Sequence, residues 1–221
     1  FEEPTSDVLW RPMERYLARQ GVEVRLGTRA TSVSLSRQGG ATVELEDGSS
    51  LESEGLVLAV TVGALRDLVE RSPDLRADAE LAASIATLRG ASPFAVHRLY
   101  LDRRVESDCE PFGATAGLGA LDGVAIFERF EGESRRWALR TGGSVVQLQA
   151  YSIDPRMSED AIKRELLGTL RALHPVLEGA QVVHESFLLR DDQPAFAPGS
   201  HVHRPRVVTP YGTVVLAGDF V

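Results

Sequence analysis

The strongest constraint on what this chain can fold into is a short apolar run near its end, VVLAGD at residues 214–219. The run has the length of a β-strand and closes with a small residue, a glycine and a carboxylate. Glycine lets a ligand approach the backbone closely, and an aspartate accepts hydrogen bonds from hydroxyl groups. The pattern predicts a strand whose carboxyl end meets a hydroxylated ligand.

A second run of the same kind, LVLAV, occupies residues 56–60. It is apolar at every position, so we expect a strand buried on both faces. Upstream of it, residues 22–26 and 41–46 alternate between apolar and polar, with Gly-Gly at 39–40 and Asp-Gly at 47–48 where tight turns belong. This alternation predicts three or four short strands in an antiparallel meander that leads into a covered sheet.

Helical periodicity marks three other parts of the chain. The first is an amphipathic helix between residues 5–7 and Gly21, in which Pro12 marks either a kink or the start of the regular part. The second covers residues 65–88, broken at Ser72 and the proline after it. The third begins at Ser158 and ends before Pro175.

Between and after these helices, further strands and loops are expected. The sequence predicts strands at 94–101, 124–130, 145–151 and 182–189, a flexible loop at 113–123, a short helix at 134–139 and an irregular crossing at 191–210. We therefore expect a mixed α/β (α+β) fold.

Composition narrows the range of functions. The net charge of -8 and the pI near 5.2 argue against a nucleic acid partner, which would favour a clustered basic surface. Cys109 is the only cysteine, so no internal disulfide can form and a reducing cytoplasm is the expected compartment. Peripheral membrane contact stays open, as does the oligomeric state. The chain starts at Phe1 without a leader, and we expect an internal piece of a larger protein.

Several candidate motifs have simpler explanations. A complete G-x-G-x-x-G is absent, and the nearest match, at 117–123, is interpreted as a loop. His201 and His203 could share a metal, but without a third ligand we expect no metal site. His97 is interpreted as a hydrogen-bonded core histidine. Cys109 has acidic neighbours that raise a thiol pKa, and Asp191 with the next aspartate is interpreted as a solvated turn.

Four segments, in their order, resemble the flavin-dependent amine oxidase and carotenoid desaturase superfamily. Residues 21–33 are similar to the stretch whose backbone contacts the adenine of the flavin cofactor. Residues 56–61 are similar to a strand end beside the dinucleotide, where Thr61 replaces the more usual proline. The others resemble the loop before the last flavin strand and that strand itself. In chain order, the segments are residues 21–33, 56–61, 194–199 and 214–219.

Three shorter segments, at 98–103, 134–146 and 203–205, look most like the isorenieratene synthase branch of that superfamily. Members of this branch desaturate the end rings of β-carotene and shift a methyl group to make the rings aromatic. The resemblance implies an FAD-dependent oxidoreductase with the flavin as hydride acceptor and an apolar carotenoid substrate. Two alternatives stay open: an FAD-dependent amine oxidase, and a binding module that has lost the cofactor.

The resemblance also implies site residues and domain limits. The backbone of Ala30, the strand end at Ala59 and Thr61, and the Gly218–Asp219 pair are expected at the flavin, and no catalytic acid or base is assigned. Residues 1–21 are expected to lead into a partial FAD-binding domain of the two-dinucleotide-binding-flavoprotein type. That domain would comprise residues 22–62 and 212–221, with a mixed-sheet-plus-helices substrate domain inserted at 63–211. Aromatic candidates for substrate contact, or for plain core, are Phe94, Phe112, Phe127, Phe130, Trp137 and Phe196.

Overall fold

The structure, a computed structural model, describes residues 2–36 and 39–221, which form two compact units. One unit combines the N-terminal residues through Val24 with Ser92–Arg190. The other combines Arg25–Ala91 with Asp191–Val221. Each unit is therefore built from two separate stretches of the chain. We call the first unit the N-terminal-helix unit and the second the parallel-strand unit.

Strands and helices alternate irregularly along the described residues, which gives the mixed α/β class that the sequence predicts. The strands are β1 (Ala30–Leu35), β2 (Ala41–Leu45), β3 (Ser50–Ser53), β4 (Leu56–Leu58), β5 (Phe94–Leu101), β6 (Phe112–Ala114), β7 (Gly123–Ile126), β8 (Ser144–Ala150), β9 (Val182–Arg190) and β10 (Val214–Leu216). The helices are α1 (Arg11–Arg19), α2 (Val62–Arg71), α3 (Pro73–Ala77), α4 (Ala79–Thr87), α5 (Gly132–Thr141) and α6 (Glu159–Leu173).

The parallel-strand unit contains two small sheets. Strands β1, β2 and β3 form an antiparallel meander, and β4 pairs in parallel with β10, so that Leu58 lies opposite Leu216. Helices α2, α3 and α4 bury their apolar residues against β4 and β10, with Leu65 and Leu75 fully enclosed. This packing places two strand ends from distant parts of the sequence side by side.

Two strand predictions for residues 22–60 are wrong. Residues 22–26 form no strand, because within the described part of the chain they have no neighbouring strand and all of their side chains are exposed. The 56–60 run is not buried on both faces either. Leu58 is buried while Val57 is 60% exposed, because the helices cover only one face of β4.

The unit boundaries also differ from the predicted domain limits. Helices α2–α4 were expected in an inserted domain that starts at residue 63, but they pack with β1, β4 and β10. The division falls instead near residues 25, 92 and 191. The physical reason is the apolar stripe of α2, which needs the buried faces of β4 and β10 to leave water.

The N-terminal-helix unit is organised around a five-stranded sheet in the order β6-β7-β8-β5-β9. Helix α6 covers one face, where Ile162, Leu166 and Leu170 enclose Leu99 and Leu148. The Ser158 hydroxyl accepts a hydrogen bond from Ala161 N (3.3 Å) and caps α6, as predicted. We call the opposite face of this sheet the open face.

Most predicted elements of this unit are confirmed, with two differences. The expected loop at 113–123 includes most of β6, which pairs with β7. The strand expected at 124–130 ends at Ile126, where a 3-10 turn begins. Helix α5 ends at Gly142, whose φ of 75° is the left-handed conformation that glycine adopts most easily.

One buried hydroxyl ties a helix end to the meander. Ser72 Oγ donates to Leu68 O at 2.6 Å and accepts from Val33 N at 2.8 Å. We expect Ser72→Ala to destabilise the protein by about 1–3 kcal/mol, because the Val33 amide is left buried without an acceptor. Urea unfolding measures this change. Ser84→Ala, which removes a hydroxyl bonded only within its own helix, is the control and is expected to cost much less; equal costs would contradict the prediction.

Candidate functional site

The carboxyl ends of β4 and β10 line one pocket. Its volume is about 450 Å³, and all of its walls belong to the parallel-strand unit. Parallel pairing places Ala217 N against Leu58 O at 3.1 Å, so the two strands leave the sheet together. The lining residues are Ala59, Val60, Thr61, Val62, Asp192, Gln193, Pro194, Ala217, Gly218, Asp219 and Phe220.

The N-terminus of α2 opens into this pocket. Thr61 is the N-cap, and its Oγ1 accepts from Ala64 N at 3.4 Å. The first backbone N–H groups of a helix have no partner within the helix and favour an anion or an electronegative oxygen. Because Thr61 and Val62 line the pocket, these N–H groups make it suited to a phosphate or hydroxyl oxygen.

Gly218 forms a part of the pocket wall in which no side chain covers the backbone. Its φ is 150°, and a Cβ placed on it would lie 2.6 Å from Cε1 of Phe220. Any side chain here would have to displace the Phe220 ring, which is buried in the core of the unit. The position therefore needs glycine, and it leaves the strand end accessible to a ligand.

Asp219 supplies the one carboxylate beside Gly218. The residue is exposed, and none of the described residues hydrogen-bonds its carboxylate oxygens; only its backbone carbonyl accepts, from Arg204 Nη1 at 3.5 Å. A carboxylate with open lone pairs at a pocket wall can accept hydrogen bonds from ligand hydroxyls. Asp219 is thus placed for a ribose or ribityl chain.

Four of the five predicted flavin residues meet in this pocket, namely Ala59, Thr61, Gly218 and Asp219. Ala30, at the start of β1, is exposed and does not line it. The residues fit part of FAD: amide donors at α2 for phosphate, a glycine for close approach, and a carboxylate for hydroxyls. That these residues contact the flavin stays a prediction.

Sequence reasoning did not find the N-terminus of α2 or the wall formed by Asp192, Gln193 and Pro194. The first had a signal, since a Thr directly before an apolar helical pattern is a common N-cap. For Asp192 and Gln193 there was no signal, because they are brought to the pocket only by the return of the chain from β9, whereas Pro194 belongs to the segment that resembles the loop before the last flavin strand. Backbone hydrogen bonds fix that return, from Ala91 N to Gln193 O and from Ala195 N to Arg89 O, both 2.8 Å.

The other candidate residues lie in the N-terminal-helix unit or on the surface. His97 is 1% exposed and its Nε2 lies 2.7 Å from Glu185 Oε2, which confirms a hydrogen-bonded core histidine. Burial raises the pKa of the Cys109 thiol, Arg129 opposes this increase, and Glu106 and Asp108 add to it; the direction is the predicted one, but burial and not the acidic neighbours is its main cause. His201 and His203 are exposed.

Within residues 2–36 and 39–221, no group of three or more His, Cys, Asp or Glu side chains is arranged to hold a metal ion. No helix of the same residues has the length and apolar character that a membrane crossing requires.

The six aromatic candidates do not form plain core. None belongs to the buried core of either unit, and Phe112 and Phe196 are each 54% exposed. Phe112 pairs with Ala125, Ala125 with Gln147, and Gln147 with Arg98, so these four side chains lie on one face of the sheet. This is the open face, because the next residue along β5, Leu99, faces α6. Arg98 sits 3.9 Å from the centre of the Phe127 ring. The open face is therefore aromatic and half exposed.

A parallel strand pair whose carboxyl ends line a pocket at a helix N-terminus defines the α/β class of cofactor-binding folds. The chain belongs to the flavin containing amine oxidoreductase family, which it matches over residues 7–221. FAD is accordingly the cofactor of this fold. The predicted superfamily and fold class are confirmed.

Two curated relatives match nearly the whole chain. Over 219 residues, it is 41% identical to a carotenoid phi-ring synthase of Streptomyces griseus, covering 99% of this chain and 42% of that protein. It is 32% identical to a carotenoid phi-ring synthase of Chlorobaculum tepidum, covering 99% of this chain and 33% of that protein. The chain therefore spans less than half the length of either relative.

Solved structures agree on the fold. Wild-type putrescine oxidase bound to putrescine superposes with a TM-score of 0.67 at 16% identity, over 95% of this chain and 46% of that one. Reduced UDP-galactopyranose mutase superposes with a TM-score of 0.64 at 9% identity, over 83% of this chain and 38% of that one. At such low identity, the likeness concerns the fold alone.

Proposed function

We propose that the protein carrying this chain is an FAD-dependent oxidoreductase that desaturates the end rings of a carotenoid. In this proposal the carotenoid is β-carotene, as in the isorenieratene synthase branch. The observation that carries the proposal is the 41% identity to a carotenoid phi-ring synthase over 99% of the chain. The pocket at β4 and β10 supports it, because that pocket offers donors and an acceptor suited to the polar parts of FAD.

In this proposal, bound FAD supplies the hydride acceptor for desaturation. Each new double bond removes two hydrogens from neighbouring carbons, one as a hydride and one as a proton that passes to a base or to water. We assign no residue as that base. The chain's own contribution would be to hold the cofactor: the amides at the start of α2 would bind phosphate oxygens, Asp219 would accept hydrogen bonds from hydroxyls, and Gly218 would leave the strand end open to the ligand.

The open face supports an apolar substrate. A hydrocarbon offers no polar group, so its binding rests on buried apolar area and on aromatic contact. Phe94 stacks on Tyr151 with ring centres 6.2 Å apart, and Tyr100 meets Trp137 edge to face at 5.1 Å. These rings lie on either side of Arg98, which bonds Gln147, and give the open face apolar area that a polyene or ring could cover.

The proposal is tested by reconstituting the protein with FAD and adding β-carotene in detergent micelles without oxygen. We expect the visible flavin band to bleach with β-carotene and to persist with an amine. Bleaching by the amine alone would identify an amine oxidase. A protein that retains no flavin after reconstitution would support a cofactor-free binding module and overturn the proposal.

The carboxylate of Asp219 gives a sharper test of the flavin site. We expect Asp219→Asn to weaken FAD binding by about tenfold, because a hydrogen bond to a charged acceptor is worth roughly 1.5–3 kcal/mol and the amide weakens it. Fluorescence titration with FAD measures the change. Asp191→Asn is the matched control, since Asp191 is exposed nearby but does not line the pocket; an equal loss in both variants would remove Asp219 from the site.

A further inference from the structure

One surface loop of the parallel-strand unit combines exposed apolar side chains with positive charge. We call residues 200–208 the basic loop; its sequence is SHVHRPRVV. Val202 is 78% exposed, Val207 52% and Val208 62%. Arg204 and Arg206 lie between them. Three exposed valines around two arginines are unusual for a surface that meets only water.

The charge around this loop is the opposite of the charge of the whole protein. The chain carries a net charge of -8, yet no Asp or Glu occurs from Gln193 to Gly218. Arg206 has no hydrogen-bond or ion-pair partner among residues 2–36 and 39–221. Glu80, on α4, is the acidic side chain that lines the hollow beside the loop. Arg204, by contrast, donates to Asp219 O and stacks on Phe196, which leaves its charge in place. A local excess of positive charge on an acidic chain attracts an anionic surface.

The basic loop is held in place by its backbone. Thr87 Oγ1 donates to His203 O at 3.2 Å, which ties the loop to α4, and Leu216 N donates to Val207 O at 2.8 Å. Val208 also bridges Val215 of β10. The exposed valines therefore sit on a backbone fixed on both sides, and their exposure does not result from a loose loop.

A hollow of about 470 Å³ lies between the basic loop and α4. Its walls carry the side chains of Ser84 and Thr87 with Arg204 and Arg206, next to apolar Val202 and Val208. The Ser84 and Thr87 hydroxyls donate to backbone carbonyls, so the guanidinium groups are the donors left for phosphate oxygens, while the valines favour hydrocarbon. The hollow thus combines side chains that bind phosphate with side chains that favour hydrocarbon.

We propose that the basic loop docks the protein on an anionic phospholipid bilayer, with the valines at the boundary of the acyl region and the arginines among the headgroup phosphates. Such a combination of apolar insertion and charge attraction is how proteins bind a membrane surface without crossing it. The inference goes beyond the proposed function and holds whatever the substrate is. For an enzyme of hydrocarbons, it would also bring the protein to where its substrate dissolves.

Vesicle sedimentation of the protein tests the proposal, with no carotenoid present. We expect the protein to pellet with vesicles of equal parts phosphatidylglycerol and phosphatidylcholine at low salt, and to stay soluble with pure phosphatidylcholine. Arg206→Gln should weaken binding by roughly fivefold, the share of one arginine at such a surface. The double variant Val202→Ser, Val208→Ser should weaken it by about tenfold or more, through lost apolar burial.

The controls are Val183→Ser and Arg76→Gln, exposed residues of the same types outside the basic loop, both expected to bind like the wild type. Unchanged unfolding curves show that each variant is folded. Loop variants that pellet like the wild type would overturn the proposal, as would equal binding to both vesicle types. A valine variant that changes the oligomeric mass but not vesicle binding would identify a contact between copies of the chain, and would also overturn it. Because no flavin or carotenoid enters the assay, its failure leaves the proposed activity untouched.

Discussion

Gly218→Val is expected to abolish stable FAD binding. A side chain at this position would place its Cβ 2.6 Å from a Phe220 ring carbon, and the backbone φ of 150° lies in a region that residues with a side chain rarely adopt. Strain of this kind costs on the order of 1–3 kcal/mol, and the displaced ring would also disturb the pocket wall. We expect FAD affinity to fall by at least roughly tenfold.

The measurement is the flavin content of purified protein, followed by titration of the apoprotein with FAD. Gly113→Ala is the matched control, because a Cβ there meets nothing within 4 Å and the backbone φ is ordinary. The control should retain FAD like the wild type. A Gly218→Val protein that keeps its full flavin content would show that the cofactor does not approach the end of β10.

The residues of the candidate flavin site could be predicted from the sequence where the chemistry is local. The residue types alone, a glycine and a carboxylate after the last strand, indicate a ligand site. In the structure, Gly218 and Asp219 line the same pocket as Ala59 and Thr61. Parallel pairing explains this, because strands with apolar runs of equal length place their carboxyl ends at one edge. The wall at Asp192 could not be predicted, since it depends on how the long crossing folds.

The two wrong strand predictions have a common physical source. The 22–26 segment alternates like a strand, but alternation gives a strand only when a neighbour supplies hydrogen bonds. The 56–60 run is apolar throughout, yet the exposure of Val57 is set by what covers the sheet. Helices were predicted better, because their hydrogen bonds are internal: Ser158 marks a helix start that the structure reproduces.

The buried His97 is expected to make the protein sensitive to acid. Its imidazole is enclosed in the core under α6, packs edge to face on Phe187, and leaves Nδ1 without a partner among the described residues. Burial lowers the pKa of His97, and the hydrogen bond to Glu185 offsets this only in part. The hydrogen bond from His97 lowers the pKa of Glu185 in turn. Lys163 also contacts Glu185, at 3.2 Å, and Glu159 at 2.9 Å.

The sign of the pH effect follows from proton uptake. Below the ordinary histidine pKa of ~6.5, the unfolded chain binds a proton that the folded chain binds less readily, so the free energy of unfolding falls as the pH falls. The lowered pKa of Glu185 acts in the same direction at lower pH. We expect the urea midpoint of the wild type to drop between neutral and mildly acidic pH, and the drop to shrink in His97→Leu.

Two further variants separate titration from packing at His97. His97→Ala should cost about 2–5 kcal/mol at every pH, because it leaves a cavity in the core, whereas His97→Leu keeps most of the volume and should cost less than ~1.5 kcal/mol at neutral pH. His184→Gln, at an exposed position on β9, should keep the wild-type pH dependence. If His97→Leu lost stability with acid as steeply as the wild type, the proton would be taken up elsewhere, and the buried imidazole would have only a packing role.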